Sequence, residues 1–513
     1  MIRFIKKTVD VVFILLLMLI LAVMSVSSAE TVFSGFTAFA AGMIILAAVF
    51  AFLHFFKEKL QTCGRYIYKC LSGISGWKLS LILGLFSVVT KIVFVFLFDN
   101  NADLHPDMAM YRSFAQQFAE SGKIVENAGY AFEYRYTAMY GLVLSPFAKI
   151  FGADTKVFTT ALSVMNSVAV VLIFDIIKKY AGKAISFFIL IIYCALPFGL
   201  FQTQLLTHEN GLFFFHLLAL WLFLKAFEKQ KSISKQIAFL LLSSVVLSIG
   251  ASINAAGRVM LISFAIYAFA KIFENGFSAK KAGQFLCVAL SLIVIFSSAL
   301  AVTGSVVKNN IAQSETMQKN EKRMPYAWAL YLGLNYEESG LWNQEDVDTY
   351  SKYKEFETKD EAYEYQKQLI KERFEFLTES PVRIPVHFFN KLNVLWGTQL
   401  LPFAYEIGNS INDFVLHGAG GIINKGFRLL NGTAFLIAYA TVFMAQIKNI
   451  KKKMEDADPQ MHFKMCVIGV TAVLLLFEVT PKYATHLHIL LFCILAMSLK
   501  TFFSVNKTKK SVS

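Results

Sequence analysis

The chain has 513 residues, of which 56% are hydrophobic and only 16% are charged, and its mean hydropathy is +0.54. Average soluble domains carry about 25% charged residues, so this composition excludes a water-soluble globule, a secreted disulfide scaffold and a disordered protein. The apolar residues fall in blocks of roughly 17 to 25, long enough for a helix to cross a hydrocarbon layer about 30 Å thick. Alternating segments typical of an outer-membrane barrel are missing, which leaves a transporter, channel, receptor or membrane-embedded enzyme.

The hydropathy pattern predicts an all-α polytopic membrane protein with about twelve transmembrane helices. The first apolar block follows a short basic stretch and resembles a signal peptide in outline. A second apolar block and a basic loop come directly after it, which indicates an uncleaved hairpin instead. The predicted spans are residues 8–28, 34–55, 77–98, 156–177, 184–204, 210–227, 236–254, 258–273, 282–303, 429–447, 461–480 and 484–503.

An even number of spans places both termini on one side of the membrane. If that side is the cytoplasm, every loop assigned to it is basic, as the positive-inside rule requires. The net charge of +14 is therefore interpreted as a topology signal and not as a nucleic-acid surface. The assignment requires residues 136–151 to lie at the outer interface without spanning. The later inner lysines are Lys178, Lys179, Lys183, Lys229, Lys231, Lys235, Lys280, Lys281, Lys448, Lys451, Lys452, Lys453, Lys507, Lys509 and Lys510.

The spans divide the chain into four predicted regions. These are an N-terminal hairpin with its loop (1–76), a transmembrane core (77–303), an extracellular helical segment (304–428), and C-terminal spans with a basic cytoplasmic tail (429–513). Two outer segments are too long for simple connectors, namely 99–155 within the core and 304–428, and loops of this length usually carry function. Within the second, 358–377 is expected to form a soluble amphipathic helix, and 409–413 with the glycines of 418–421 to form an irregular return into the membrane.

The cysteines give little indication of a metal site or a disulfide framework. Four lie inside separate apolar spans and two share a basic loop, whereas either kind of site needs ligands that are close together or exposed to an oxidising compartment. We therefore expect neither. The cysteines are Cys63, Cys70, Cys194, Cys287, Cys466 and Cys493.

Two acidic residues lie at the predicted outer ends of spans, where a charge needs a physical reason. Asp107 follows Pro106 and opens a helical stretch, so it is either a helix N-cap or a functional acid. Glu209 lies in an outer turn and is either a solvated carboxylate or a functional group. Topology puts both on one face, a pairing that suits a general base and a group that orients an acceptor or a metal.

Basic residues at the outer face are exceptions to the positive-inside rule and call for an anionic partner. Arg258 and Lys482 are two such exceptions, and a phosphate at the outer leaflet is one candidate partner. The alternatives are ion pairs with Glu209 or Glu478, or snorkelling to lipid headgroups. Residues Tyr483, His486 and His488 follow Lys482, and the two histidines diverge on a helix and make a poor metal pair.

A further basic residue, Lys391, lies in an aromatic and basic amphipathic stretch. Its simplest interpretation is an interfacial anchor, with a substrate contact as the alternative. Three amphipathic stretches, 108–121, 136–151 and 385–395, could together form a roof over a groove at the outer boundary of the bilayer.

Several of these residues occur in a familiar order. The outer loop with Asp107-x-x-x-Tyr111 and Gly122, then YTAMYGLVLSPFAKIFG from Tyr136, resembles the first outer loop of GT-C glycosyltransferases, which include protein O-mannosyltransferases and the lipid A aminoarabinose transferase. The later landmarks of that group also match, and the resemblance covers most of residues 77–503. These landmarks are Thr207-His208-Glu209-Asn210, Arg258 and Pro481-Lys482-Tyr483. Two departures are a single acid after Pro106 where many members have a pair, and Lys482 where many have arginine.

The resemblance implies a membrane transferase of the cell envelope that takes a hexose or pentose from a polyprenyl-phosphate donor at the outer face. It implies Asp107 as the base, with Asp103 as a substitute, Glu209 beside it, and inversion at the anomeric carbon. The donor phosphate would be bound by Arg258, Lys482, Tyr483 and His486. The acceptor or a lid would involve Tyr111, Tyr136 and Lys391.

The acceptor, whether a protein, a polymer or a lipid-linked glycan, is left open, and no cofactor is indicated, although a divalent metal remains an alternative. A transporter or flippase of lipid-linked glycans is the main rival function, and Lys91 and Asp175 inside spans are its best support. A non-catalytic subunit of an envelope assembly complex is a third hypothesis. The excess of lysine over arginine suggests a bacterial plasma membrane.

Overall fold

The computed structural model describes residues 2–30, 35–97, 106–228, 233–274, 276–311, 322–397, 419–449 and 459–503. Within these ranges the protein is helical, apart from an isolated bridge between Ile124 and Ile311. The prediction of an all-α polytopic membrane protein is confirmed. The helices before residue 311 are α1 Ile2–Glu30, α2 Gly35–Phe55, α3 Lys57–Ser72, α4 Gly76–Leu97, α5 Pro106–Ser121, α6 Ala128–Glu133, α7 Arg135–Phe151, α8 Thr155–Ala181, α9 Lys183–Ala195, α10 Pro197–Phe201, α11 His208–Ala226, α12 Ile233–Ile253, α13 Ala256–Ile272 and α14 Ala279–Asn309.

The second half of the chain has a cluster of short helices and then three long ones. The short helices lie in the predicted extracellular segment and the long ones in the predicted C-terminal spans. They are α15 Ala327–Gly333, α16 Gln344–Ser351, α17 Lys359–Thr378, α18 Arg383–Leu392, α19 Ala419–Asn449, α20 Pro459–Leu476 and α21 Thr485–Phe503, with a 3-10 turn at Pro481–Ala484 before α21.

Ten helices of the described residues are long and apolar enough to cross a membrane. The two remaining predicted spans correspond to α9 and α13, which have 13 and 17 residues. The sequence predicts one continuous helix over 184–204. Helix α9 instead ends at Ala195, because Leu196 is extended and the following Pro197 has no N–H to continue the helix. Helix α7 has 17 residues and is not among the ten, and the interfacial position of 136–151 stays a prediction.

The two ends of the helix bundle differ in chemistry. At one end, which we call the Asp107 end, lie the start of α5, the starts of α11 and α13, and the 3-10 turn before α21. At the other end, Lys178 and Lys225 pair with Asp175 at 2.8 and 3.5 Å, and Lys179 pairs with Glu228. Predicted outer residues therefore share one end, and the predicted inner lysines Lys178 and Lys179 lie at the other.

Close helix contacts fix the elements at the Asp107 end. Helix α7 packs directly on α5 at Gly141, where a Cβ atom would come within 2.6 Å of the Phe114 side chain. The Gly333 position at the end of α15 is equally tight, because a Cβ there would lie 2.3 Å from the Leu476 carbonyl oxygen. Glycine at these two positions lets α5 meet α7 and lets the outer segment meet the end of α20.

The outer helices α15 to α18 have a small core of their own. Aromatic rings from three elements meet there, with Trp328 and Tyr350 centroids 5.0 Å apart. Helix α17 begins with a capping box between Thr358 and Glu361, so the predicted helix at 358–377 is present, displaced by one residue. The predicted return at 409–413 lies outside the described residues, and α19 begins at Ala419, within the glycine-rich stretch.

Candidate active site

The first acid of the site, Asp107, lies in the first turn of α5. Its Oδ1 atom accepts a hydrogen bond of 2.5 Å from the hydroxyl of Tyr130 on α6. A short hydrogen bond to a carboxylate orients it and stabilises its charged form. Asp107 thus occupies a helix start, where the N-cap hypothesis put it, and also contacts a side chain 23 positions further along the chain. The substitute acid, Asp103, lies outside the described residues.

Among the described residues, Lys482 is the cation recorded as an ion-pair partner of this carboxylate. Its Nζ atom lies 3.9 Å from Asp107 Oδ2, and the side chains keep 12% and 26% of their surface accessible to solvent. The 3-10 turn that begins at Pro481 places Lys482 at the mouth of the bundle, before α21 descends. At this distance and exposure the ion pair contributes little to stability.

A second carboxylate of the site, Glu478, lies in the loop between α20 and Pro481. Burial raises the pKa of its carboxyl group from 4.5 to about 6, with Asp107 adding to the rise and Lys482 opposing it. The Glu478 N–H donates to the Ala329 carbonyl oxygen at 2.7 Å, which fixes the loop on α15 of the outer segment. From the sequence this residue was considered only as an ion-pair partner of Arg258 or Lys482.

A third carboxylate, Glu209, is fully buried in the first turn of α11. Its Oε1 atom lies 3.2 Å from Nε2 of His208, but neither oxygen has a hydrogen bond of good geometry within the described residues. The other ring nitrogen of His208 is 2.9 Å from the hydroxyl of Tyr111. A buried acid with so few partners is costly and is characteristic of functional sites.

Tyrosines line the space between these acids. The Tyr130 and Tyr134 rings lie 4.8 Å apart, and the Tyr136 ring lies 5.0 Å from His208. Burial raises the pKa of Tyr134 to about 12, despite the opposing influence of the Arg323 guanidinium. These side chains stay neutral at ordinary pH and offer aromatic faces and hydroxyl donors.

A cation that the sequence interpretation overlooked is Arg323. It donates to Glu133 Oε1 at 3.1 Å, and its guanidinium lies 5.0 Å from the centre of the Tyr134 ring. Its charge also opposes the rise in the pKa of Glu478. The residue lies in the long outer segment, where only topology could have pointed to it, since no local pattern distinguishes it from neighbouring basic residues.

The structure separates Arg258 from the contacts just described. Its Nη1 atom donates a hydrogen bond of 2.8 Å to the Tyr326 hydroxyl, and the guanidinium lies 5.8 Å from the centre of that ring. Within the described residues these are its recorded partners. It lies at the Asp107 end, as predicted, but on an exposed edge.

The two histidines of the last span diverge, as predicted from their spacing. His486 lies close enough to His208 to interact with it electrostatically, and neither of its ring nitrogens has a hydrogen-bond partner in the described part of the chain. His488 receives or donates a 2.5 Å hydrogen bond with Tyr439 in the bundle core. Tyr483 interacts with Glu478. His486 and Tyr483 therefore adjoin the site, while His488 belongs to the packing.

The buried side chain of Lys391 links the outer segment to the loop of Glu478. Its Nζ atom donates to the carbonyl oxygens of Gly333 and Phe477, each at 2.7 Å. Burial lowers the pKa of Lys391 from 10.5 to about 7, with Glu478 opposing the shift. In this structure Lys391 is a positioning residue for the loop, which differs from both the interfacial anchor and the direct substrate contact considered from the sequence.

The assembled site combines a partly exposed acid, an adjacent ammonium and two less accessible acids. Asp107 can accept a proton from a hydroxyl group, and Lys482 can bind an anion next to it. Sequence spacing alone could not identify Tyr130, because its hydroxyl reaches Asp107 only after α5 and α6 fold back on each other.

Comparison with known proteins identifies one matching family. Residues 136–301 match the family model described as dolichyl-phosphate-mannose-protein mannosyltransferase. No curated protein matches the sequence.

Similar solved structures are an archaeal oligosaccharyltransferase and ArnT. AglB from Archaeoglobus fulgidus, in complex with an inhibitory peptide and a dolichol-phosphate, is 13% identical to this chain with a TM-score of 0.43. The match covers 84% of this chain and 50% of the AglB chain. ArnT from Cupriavidus metallidurans, bound to undecaprenyl phosphate, is 11% identical with a TM-score of 0.34, covering 81% and 77%. The chain thus spans about half the length of the archaeal enzyme. The family match over 136–301 confirms the resemblance to the protein O-mannosyltransferase group of GT-C glycosyltransferases.

Proposed function

We propose that the protein is an integral membrane glycosyltransferase that moves a sugar from a polyprenyl-phosphate donor to a cell-envelope acceptor at the outer face. The observation that carries this proposal is the contact of Asp107 with Tyr130 on one oxygen and with Lys482 on the other side. The reaction needs a base beside the attacking hydroxyl and a cation beside the leaving phosphate, on opposite faces of the sugar and both within reach of one anomeric carbon.

In the proposed reaction, an acceptor hydroxyl attacks the anomeric carbon of the donor sugar. A new carbon–oxygen bond to the acceptor forms as the bond to the phosphate breaks, and the hydroxyl proton passes to Asp107. The polyprenyl phosphate leaves with the bonding electron pair. A single displacement of this kind inverts the anomeric configuration. Tyr130 holds the carboxylate of Asp107 in position through its 2.5 Å hydrogen bond.

The negative charge that develops on the leaving phosphate needs a fixed positive partner. Lys482 is the best placed cation, since it lies 3.9 Å from the proposed base. Arg258, Tyr483 and His486 remain proposed contributors to phosphate binding, and Arg323 joins them because its charge reaches Glu478. Arginine binds phosphate through two parallel hydrogen bonds, whereas lysine acts as a point charge.

We assign Glu209 and Tyr111 a supporting role. Glu209 is buried beside His208, which is itself bonded to Tyr111, so the three residues tie α5 to the start of α11. The Tyr136 ring lies on His208 and faces the same space. This network would hold the acceptor side of the site rather than transfer the proton.

The lipid part of the donor would remain in the bilayer while its phosphate reaches the site. Helices α4 and α14 present large apolar residues outward, including Phe96 with 66% and Val302 with 61% of their surface exposed. Helices α5, α7 and α18 lie at the Asp107 end and are the proposed roof over the headgroup. On this proposal the Asp107 end faces outward and both termini are cytoplasmic, which the lysines of the opposite end favour.

The rival function is transport of a lipid-linked glycan, which needs ionisable groups near the middle of the bilayer. Asp175 no longer supports it, because its carboxylate pairs with Lys178 and Lys225 at the end of the bundle. Lys91 is the remaining support, since its side chain is buried within α4. The assay below separates the two functions.

The test is transfer of radiolabelled sugar from a synthetic polyprenyl-phosphate donor in proteoliposomes. Asp107→Asn removes the base without changing the size of the side chain. Asp154→Asn is the matched control, because Asp154 caps α8 through a hydrogen bond to the Lys156 N–H and asparagine caps equally well. We expect Asp107→Asn to reduce turnover by about a hundredfold or more, and the control to retain wild-type turnover.

Two results would overturn the proposal. Equal turnover in wild type and a folded Asp107→Asn variant would remove Asp107 as the base. If the wild type consumes no donor while labelled lipid crosses the bilayer, the protein is a flippase and not a transferase. The anomeric configuration of the transferred sugar, compared with that of the donor, tests inversion.

A further inference from the structure

A group of metal-ligand side chains lies in the core of the helix bundle, below the candidate active site. His216 is on α11, and His462 and Cys466 are on α20, four residues apart and therefore on one helix face. All three side chains are buried, with 1%, 0% and 0% of their surface exposed. About two helical turns, roughly 12 Å, separate His216 from the start of α11.

The three ligand atoms converge on one point. The Nε2 atoms of His216 and His462 are 3.2 Å apart. The Cys466 Sγ atom is 3.5 Å from Nε2 of His462 and 4.0 Å from Nε2 of His216. Around an ion with metal–nitrogen bonds of about 2.0 Å and a metal–sulfur bond of about 2.3 Å, the nitrogens are about 3.3 Å apart and sulfur is about 3.6 Å from each. The first two distances match that triangle, and the third, at 4.0 Å, is about 0.4 Å too long, so a small shift of the Cys466 or His216 side chain completes it.

A serine next to the cluster hydrogen-bonds one of its histidines in the way that a metal-binding histidine needs. The Ser263 hydroxyl on α13 lies 2.6 Å from Nδ1 of His462. A hydroxyl on Nδ1 accepts its proton and leaves the Nε2 lone pair facing the cluster, which is the tautomer that a ligating histidine needs. A metal-free cluster held by an imidazole–imidazole hydrogen bond and weak thiol hydrogen bonds is the alternative, and the metal-binding test below separates the two.

We propose that His216, His462 and Cys466 bind a soft transition-metal ion, with monovalent copper favoured over divalent zinc. A thiolate and two neutral imidazoles carry one negative charge, so Cu⁺ forms a neutral complex and Zn²⁺ leaves a net charge of +1. Burying a net charge within a membrane bundle is costly. Thiolate and imidazole ligands suit both ions, so charge decides between them. Binding releases the Cys466 thiol proton to solvent.

The ion would act as a clip between two helices that serve the active site. Helix α11 begins with His208 and Glu209, and α20 leads directly into the loop that contains Glu478. A metal bond joining the two helices at this depth fixes the distance between those acids. The proposal does not depend on the proposed transferase activity, because its test measures metal and stability.

The test uses the full-length protein purified in detergent without metal, then exposed anaerobically to buffered Cu⁺ or to Zn²⁺. We expect about one copper per chain by mass spectrometry of the metal, and a rise in Tm on loading. X-ray absorption should show one sulfur and two nitrogen ligands. Cys466→Ala should abolish binding, while Cys493→Ala, an equally buried cysteine on α21, should retain it.

Each alternative outcome has a definite meaning. Failure of the wild type to bind either ion overturns the site, whatever the variants do. Binding of zinc as tightly as copper overturns the charge argument and the choice of Cu⁺. Retention of stoichiometric copper by both Cys466→Ala and His462→Ala places the ion elsewhere and also overturns the proposal.

Discussion

Lys391 donates a 2.7 Å hydrogen bond to the carbonyl oxygen of Phe477, so the outer segment holds the residue that precedes Glu478. The same ammonium group also donates to Gly333 at the end of α15. The loop between α20 and α21 is thereby fixed from outside the bundle. Its position determines how far Lys482 lies from Asp107, because both Glu478 and Lys482 belong to this short connection.

The first prediction concerns this link. Lys391→Met should lower sugar-transfer turnover by about tenfold and destabilise the protein by about 1–3 kcal/mol, because the Phe477 carbonyl loses its hydrogen-bond donor. The Gly333 carbonyl keeps a partner, since His387 Nε2 lies 2.9 Å from it. Hydrogen exchange of the 477–482 peptide should rise in the variant. Lys371→Met, which changes an exposed lysine on α17, is the control.

A slower Lys391→Met enzyme with unchanged hydrogen exchange at 477–482 would contradict the positioning role. It would favour the direct acceptor contact that the sequence suggested as an alternative. A change of similar size in Lys371→Met would show that the loss arises from the surface charge of the outer segment.

The second prediction concerns Tyr130. Tyr130→Phe removes the 2.5 Å hydrogen bond to Asp107 while leaving the ring in place against Tyr134. Turnover should fall about tenfold, since hydrogen bonds to charged groups contribute about 1.5–3 kcal/mol. Steady-state transfer kinetics measure the change. Tyr66→Phe on α3, where the side chain is 70% exposed, should behave as wild type. Full activity in Tyr130→Phe would show that Asp107 is oriented by something else.

The sequence predicts the long helices of this structure better than the contacts between individual side chains. Hydropathy predicted the ten long apolar helices of the described residues, because a helix in lipid must satisfy its own backbone and the bilayer sets its length. Helix α9 is shorter than predicted because one proline overrides an apolar block. The contacts among Asp107, Tyr130 and Lys482 join positions up to several hundred residues apart, so local patterns indicate the residues but not their partners.

The cysteine and histidine cluster illustrates the same limit. His216 and Cys466 are 250 positions apart, and each alone is an ordinary polar or thiol side chain in an apolar helix. The scatter of the cysteines therefore favoured no metal site in the sequence. Packing of α11 against α20 through α13 brings the ligand atoms together, and only the tertiary structure contains that information.

The third prediction concerns pH and stability. The pKa of Glu478 is raised from 4.5 to about 6, mainly by burial, so the folded protein holds this proton more tightly than the unfolded chain. Stability should therefore fall as the pH rises from about 4.5 to about 6, and a cost of about 1–2 kcal/mol should persist at higher pH. Glu478→Gln removes that cost.

Thermal unfolding in detergent between pH 4.5 and pH 7.5 measures the effect. The Tm of Glu478→Gln relative to wild type should rise across this range by a few degrees and then level off. Glu364→Gln on α17, where the side chain is 73% exposed, supplies the control and should show no such trend. A Tm difference for Glu478→Gln that is constant with pH would contradict the assigned shift.

The fourth prediction compares the two outer cations that the sequence singled out. Lys482→Gln should reduce kcat/KM for the polyprenyl-phosphate donor by about a hundredfold, because its Nζ atom lies 3.9 Å from the proposed base and is the proposed partner of the leaving phosphate. Lys482→Arg should restore most of that loss, since charge matters more than shape here. Arg258→Gln should cost less than tenfold, because its guanidinium already bonds the Tyr326 hydroxyl at the exposed edge. The reverse order would move the phosphate towards Arg258.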